Sequence, residues 1–473
     1  GFKALNFYFL IIIFTFVNLK RTCYIMNKRV LLCLAHMSGN EQKYIQEAFE
    51  QNWVVPLGPN VNGFEDDLKR FFISKPTAKT YADEGYPKSI EAHTTTSEGL
   101  WQEQFDELQG KEVVALSSGT SAVHLALVAL GVKTGDEVIC QSFTFCASSH
   151  PVTYQGATPV FVDSEIDTWN MDPILLEKAI NDRIEKTGKK PKAIIVVYLY
   201  GMPAKLDEIV AIAKKYDIPL IEDAAEGLGS RYNEQACGTF GEYGVMSFNG
   251  NKMITTSGGG ALICPNKDAK TEVMYYATQA RESYPYYQHV HIGFNYRMSN
   301  ICAGIGRGQM TVLDEHIAHH RHIAHLYEAA FKDIEGITFH GNPSAEYDSN
   351  FWLNTILLDE NLKVKGEENA YKTIITGAVG GAAGVVHTAE TAHTDCEPHN
   401  NVEAMRVALD KANIEARPLW KPMHKQPVYA SCPAYDNGVS VDLFHRGLCL
   451  PSGPLVTDDD VAYIVQSIKE AIA

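Results

Sequence analysis

The sequence predicts an α/β protein: a large domain on a mostly parallel, helix-covered sheet, then a smaller C-terminal α+β domain. Two observations carry this. From Glu112 to Glu222 short apolar runs alternate with amphipathic segments, the pattern of a parallel sheet covered on both faces. Past Phe331 the alternation stops, and short apolar runs are followed by polar stretches and helical segments. With 473 residues the chain is long enough for more than one packed unit. The large domain is expected over residues 26–331, with an insertion at about 74–105, and the small one over 332–473, with an insertion at about 363–400.

Leu5 to Val17 is nearly all apolar, but it is shorter than the roughly 20 residues that cross a bilayer. Leu19-Lys20-Arg21-Thr22 is no small-residue cleavage site, and Met26 reads as a natural start. Residues 1–25 are therefore expected to lie upstream of the fold, with a membrane anchor as the minority alternative. Asn40 is placed to cap a helix over Glu41–Phe49, and Phe64–Phe72 reads as a second helix. Ser74 to Glu98 is polar and Thr-rich, a surface insertion. Strands follow at Val113–Leu116, Glu137–Gln141, Thr158–Val162, Ala193–Leu199 and Pro219–Glu222. Helices at Ser121–Leu130, Pro173–Ile180 and Leu206–Lys215 lie between them.

Beyond residue 260 the pattern predicts a strand at Ala261–Cys264, a helix near Ala269–Ala280, a Tyr-rich loop and one long helix from about Asn300 to Phe331. That helix carries His316, His319, His320, His322 and His325. No carboxylate pattern accompanies the i, i+4 pair His316/His320, so a solvated face is expected and no metal site. Ile337–Phe339 and Phe351–Leu358 read as strands, Lys363–Asn400 as a mobile insertion, and Val402–Lys411 and Asp458–Ile472 as helices.

The formal net charge of −16 argues against nucleic acid and anionic membranes as partners, since both favour basic surfaces. Ten cysteines without a Cys-x-x-Cys or zinc-like spacing fit free thiols in a reducing cytoplasm.

The chemistry centres on Ser247-Phe248-Asn249-Gly250-Asn251-Lys252, followed by Ser257-Gly258-Gly259-Gly260. A partly desolvated lysine can hold an aldehyde covalently, and the glycines are expected to let the backbone turn tightly before Ala261. An exposed turn lysine is the common alternative; the company of Lys252 argues against it. Asp223 ends an apolar strand, where a carboxylate can keep a pyridine nitrogen protonated, although an aspartate there can also serve as a plain cap. Ser118, Gly119 and Thr120 open a helix whose first N–H groups can bind phosphate, with Ser247 as a further hydroxyl donor. Phe145 suits stacking on a flat heteroaromatic ring, although a core position is the commoner fate of such a residue, and Asn249 is a further cofactor-binding candidate.

Taken together, SSGTSAVHLAL (117–127), SFTFCAS (142–148), IEDAAEGLGS (221–230), SFNGNKMITTSGGGAL (247–262), GFNYRMSN (293–300) and ARPLWKPMHKQPVY (416–429) resemble the DegT/StrS family of pyridoxal-phosphate-dependent nucleotide-sugar aminotransferases. The likeness is greatest to transaminases of the UDP-N-acetylbacillosamine type and runs from about Met26 to the C-terminus, interrupted near 74–105 and 363–400. It implies a fold-type-I enzyme and a homodimer with shared active sites. Lys252 would hold pyridoxal 5'-phosphate, Asp223 face its ring nitrogen, Phe145 stack on it, and Glu226 lie near the ring hydroxyl. Gly119, Thr120 and Ser247 would cradle the phosphate, with Asn295 reaching that of the neighbouring subunit. Tyr284, Arg297, Arg417, Trp420 and His424 would contact substrate. The implied reaction moves an amino group from L-glutamate to C4 of a UDP-4-keto-6-deoxy-N-acetylhexosamine. A GDP-linked perosamine synthase is the alternative, but that group tends to carry Gly-Glu-Gly-Gly where this chain has Ser257-Gly258-Gly259-Gly260. A non-catalytic cofactor-binding regulator has no chemical need for Lys252, Asp223 and Ser247 together.

Overall fold

A computed structural model describes residues 29–74, 108–371 and 396–472. The expectations for residues 1–25 and for most of both insertions lie outside the described residues. The strands in chain order are β1 (Glu112–Leu116), β2 (Glu137–Gln141), β3 (Thr158–Val162), β4 (Ala193–Val197), β5 (Leu220–Asp223), β6 (Arg231–Tyr232), β7 (Gln235–Ala236), β8 (Tyr243–Ser247), β9 (Gly260–Cys264), β10 (Ile337–Phe339), β11 (Tyr347–Asp348), β12 (Asn354–Leu358), β13 (Arg417–Pro418), β14 (Ala434–Tyr435) and β15 (Gly447–Leu450).

Eight of them form the central sheet in the order β1-β9-β8-β5-β4-β2-β3-β14. From β8 to β14 every pairing is parallel, and β9 alone runs antiparallel, to both of its neighbours. β4 is Ala-Ile-Ile-Val-Val and buried throughout, as a strand covered on both faces must be. Helices Gly119–Ala129, Pro173–Thr187 and Leu206–Tyr216 supply part of that cover. A second, antiparallel sheet, β10-β12-β15-β13, packs with helices Leu313–Phe331, Asn400–Lys411 and Asp458–Ala471 around Ile323, Tyr327, Ile356, Leu448 and Ile464. A small ribbon, β11-β6-β7, completes the sheets.

Several expectations change. The long helix is two, Asn300–Met310 and Leu313–Phe331, because the N–H groups of Thr311 and Val312 bond back three residues to Gly308 and Gln309 and the Thr311 hydroxyl also takes Gly308 O. Asn40 does not cap its helix; the Glu41 carboxylate instead accepts the N–H groups of Ser38 (2.8 Å) and Gly39 (2.9 Å). His316 and His320 are buried, not on a solvated face. β8 and β14 are strands that the apolar pattern did not announce.

The two packed units also exchange chain. Val30 bridges Ile414 and packs with the smaller sheet, as does the end of helix Leu313–Phe331, while β14 joins the larger sheet from the C-terminal part. Val364 bridges Ile472, just past the last helix.

Candidate active site

The parallel strands deliver their carboxyl ends to one rim, where α/β sheets bind ligands. β5 ends there in Asp223, β8 in Ser247, β1 leads into Ser117–Thr120, β2 into Ser142–Ser148 and β4 into Tyr198–Tyr200.

The lysine loop folds back on itself: Lys252 N–H donates to Asn249 O (3.1 Å), Thr256 N–H to Phe248 O (3.0 Å) and Phe248 N–H to Gly259 O (2.8 Å). The glycine run does not serve the expected tight turn. The left-handed residue is Ser257 (φ 70°), and none of Gly258, Gly259 and Gly260 has positive φ. Gly260 is required for close approach, since a Cβ there would lie 2.3 Å from the Ser118 carbonyl carbon. A Cβ on Gly259 would lie 2.2 Å from Thr256 Oγ1, whereas one on Gly258 would meet nothing within 4 Å. The Lys252 ammonium sits 3.5 Å from Glu226 Oε1 and 4.0 Å from the centroid of the Trp352 ring, a cation–π contact. The Trp352 indole N–H donates to Asn251 O at 2.7 Å and so ties the loop to the strand that follows, β12.

Asp223 is buried at the centre of the rim. Its Oδ2 accepts from the Ser148 hydroxyl at 2.6 Å and its Oδ1 from Ala225 N–H at 3.2 Å. The local cap is therefore present, and one carboxylate oxygen still faces a second partner. Burial pushes the Asp223 pKa up, against the pull of Ser148, Ala225 N–H and the nearby Lys252 charge. Glu226 behaves alike: burial raises its pKa, while Lys252 and Tyr200 N–H (2.7 Å) oppose the rise and the Asp223 charge adds to it. Tyr200 holds that N–H in place from left-handed backbone (φ 56°), a conformation non-glycine residues adopt at a cost.

Next to this group lies a cradle. Ser118 and Ser121 form a reciprocal capping box at the start of helix Gly119–Ala129, so the Ser118 hydroxyl shapes the helix end. The N–H groups of Gly119 and Thr120 lack helical partners at that end. Ser247 flanks them: a Cβ on Gly119 would lie 3.0 Å from Ser247 Cβ. First-turn N–H groups, two hydroxyls, a buried carboxylate and a lysine amine along one rim fit an aromatic aldehyde bearing a phosphate.

The remaining candidates divide. Phe145 is 53% exposed, with its ring 5.8 Å from that of Trp420, and the Trp420 ring lies 5.8 Å from Tyr200. Arg297 pairs with Leu116 at the end of β1, and burial lowers its pKa. The Arg417 guanidinium is held by Glu415 (Nε to Oε1, 3.0 Å). His424, expected to contact substrate, is partly buried against the β2 loop, with Nδ1 2.6 Å from Ser142 Oγ and Nε2 3.4 Å from Asp436. Asn249 is exposed and meets Lys252 through its carbonyl. Tyr284 stacks on Tyr286 in an exposed loop, and Asn295 is exposed beside Thr278; neither joins the Lys252 group within one chain. Trp352, Tyr200 and Ser148 were not expected. Ser148 lies inside a quoted motif, but nothing in its spacing reveals that it faces Asp223, and Trp352 meets Lys252 only through tertiary folding.

A family model, the DegT/DnrJ/EryC1/StrS aminotransferase family, matches residues 97–376 and 367–469. Bacillus subtilis (strain 168) EpsN, whose name places it among pyridoxal phosphate-dependent aminotransferases, is 41% identical over 445 residues, 93% of this chain and 95% of EpsN. A GDP-perosamine synthase of Escherichia coli O157:H7 is 31% identical, covering 92% of this chain and 96% of its own. The crystal structure of a DegT DnrJ EryC1 StrS aminotransferase from Brucella abortus shares the fold, with a TM-score of 0.71 and 24% identity over 91% of this chain and 95% of that one. Among the described residues no helix is long and apolar enough to cross a membrane. Sequence match and fold agree: the chain belongs to the DegT/DnrJ/EryC1/StrS aminotransferase family, whose cofactor is pyridoxal phosphate.

Proposed function

We propose that this pyridoxal-phosphate-dependent sugar aminotransferase moves the amino group of L-glutamate to C4 of a UDP-4-keto-6-deoxy-N-acetylhexosamine, in amino-sugar, polysaccharide or glycan synthesis in the cytoplasm. The observation that carries the reading is the convergence of Lys252, Glu226 and Asp223, with Lys252 Nζ 3.5 Å from Glu226 and its charge felt by Asp223. When bound, the cofactor supplies an aldehyde that bonds to amines and a protonated ring that takes up electron density.

The chain's own groups do the rest. Lys252 would hold the cofactor, and its Nζ would take and return the proton at the α-carbon of the amino-acid donor. The Asp223 carboxylate keeps the ring nitrogen protonated. The N–H groups of Gly119 and Thr120 and the hydroxyls of Thr120 and Ser247 bind phosphate, on a helix end shaped by Ser118. Phe145 stacks on the ring, Glu226 orients Lys252, and Asn249 closes the loop. Arg297, Arg417 and Trp420 line the route for glutamate and sugar nucleotide, while exposed Tyr284 and Asn295 reach the site of the neighbouring subunit in a homodimer.

The run Ser257-Gly258-Gly259-Gly260 favours a UDP sugar. A second reading, amination of GDP-4-keto-6-deoxymannose, is favoured by the near full-length match to the GDP-perosamine synthase. Incubating the protein with glutamate and a panel of UDP- and GDP-4-keto sugars, with products read by mass, separates them. Amination of the UDP-linked N-acetylated sugar is expected; amination of GDP sugars alone, or of none, overturns the proposal.

A further inference from the structure

We infer that Ser148, backed by Thr144, is a positioning residue for Asp223: a relay of two hydroxyls that keeps the proton shared with the cofactor's ring nitrogen on the nitrogen. The inference rests on the reading that Asp223 faces that nitrogen, and does not depend on which sugar is the substrate. Thr144 Oγ1 lies 2.8 Å from Ser148 Oγ, which lies 2.6 Å from Asp223 Oδ2, and all three residues are at most 4% exposed.

The sense of the chain follows from its end. An ionised carboxylate only accepts, so the single Ser148 proton points to Asp223, and the Ser148 oxygen must accept the proton of Thr144. A hydrogen bond to a carboxylate is charge-assisted, and one whose donor is itself polarised by a second hydroxyl is stronger. The backbone is shaped for this. Thr144 precedes the short turn Cys146–Ser148, closed by Ser148 N–H to Phe145 O (3.2 Å), which brings the two hydroxyls together. The same turn presents Phe145, so one local structure sets both the stacking ring and the donor to Asp223.

The consequence concerns basicity. With Oδ2 satisfied, Asp223 is a weaker base and leaves the shared proton on the ring nitrogen; without Ser148 the buried carboxylate draws that proton towards itself. No proton enters or leaves. Only its position between oxygen and nitrogen changes, and with it the electron-accepting power of the ring. The other charged groups of the site, Lys252 and Glu226, are unchanged by the substitution.

The test loads wild type, Ser148→Ala, Thr144→Val and Asp223→Asn with pyridoxal phosphate labelled with ¹⁵N in the ring, and records the ring-nitrogen shift at pH 7.5. A merely structural role for Ser148 would not move that shift. The expected result is a downfield shift, towards an unprotonated nitrogen, in Ser148→Ala, and a smaller one in Thr144→Val. The kcat for glutamate should fall about tenfold in Ser148→Ala with KM little changed, the magnitude of one charge-assisted hydrogen bond. An unmoved ¹⁵N shift in Ser148→Ala overturns the inference; if that variant fails to fold or to keep cofactor, an unmoved shift in Thr144→Val overturns it. Asp223→Asn separates the two readings: if its ring nitrogen is also unmoved, it is the placement of Asp223 that fails.

Discussion

The strand rim around Lys252 and the histidine helix both gather titratable side chains, and they arrange them differently. On helix Leu313–Phe331, His316 Nδ1 donates to Met253 O (3.2 Å), His320 Nδ1 to Phe351 O (3.1 Å) and His319 Nε2 to Val456 O (2.9 Å). Three rings diverge to three different carbonyls, and burial lowers the pKa of each. At the strand rim Lys252, Glu226 and Asp223 converge instead, each within the field of the others. Polar residues whose hydrogen bonds run to separate partners tie a fold together, whereas ionisable groups gathered around one space can act on a ligand.

The comparison breaks most visibly at Lys252. Lys252→Ala should lower transamination by at least ~10³-fold, because tether and general base are lost together. Its far-ultraviolet circular dichroism should match wild type. More than a trace of turnover in that variant contradicts the assignment. Asp223→Asn should come next, with a loss in kcat of ~10²-fold, the scale for removing one preorganised electrostatic group. Steady-state rates with glutamate measure it.

The glycine run offers a matched pair. Gly260→Ala places a methyl group against the backbone of Ser118 and Gly119, and should cost about 2–3 kcal/mol in denaturant unfolding and weaken cofactor binding. Gly258→Ala meets open space and should stay within about 0.5 kcal/mol of wild type.

The smallest effect belongs to the helix. His320 is fully buried and its folded pKa is lowered to about 3 by burial. The unfolded chain binds a proton near the usual histidine value of about 6.5 and the native state does not. The stability that His320 contributes is thus whole above pH 6.5 and is lost as pH falls from there towards 3. Urea unfolding should show about 2 kcal/mol less of this loss between pH 7 and 5 in His320→Gln than in wild type.

Much of this architecture was legible because apolar runs and strand ends are local signals. β1, β2, β3 and β5 lie within a residue or two of their expected bounds; Asp223 closes β5, and Gly119 opens the helix that follows β1. β8 was not legible, because Tyr243-Gly244-Val245-Met246-Ser247 has a glycine where a strand signal should be, and Gly244 is needed there against Gly238. β14 is two residues long and is a strand only by pairing with β3. The helix break at Thr311 carries no Pro or Gly to mark it. Trp352 was read as part of a strand, but the strand starts at Asn354 and the indole turns to Lys252, a contact that only the approach of the two sheets creates.

The central claim is that the amine at position 252 bonds to the cofactor. Reducing the loaded protein with borohydride and mapping its peptides by mass spectrometry tests this directly. The account predicts a stable pyridoxyl phosphate adduct on Lys252 that is absent from unreduced protein; an adduct on another lysine, or none on a protein that has bound the cofactor, contradicts it.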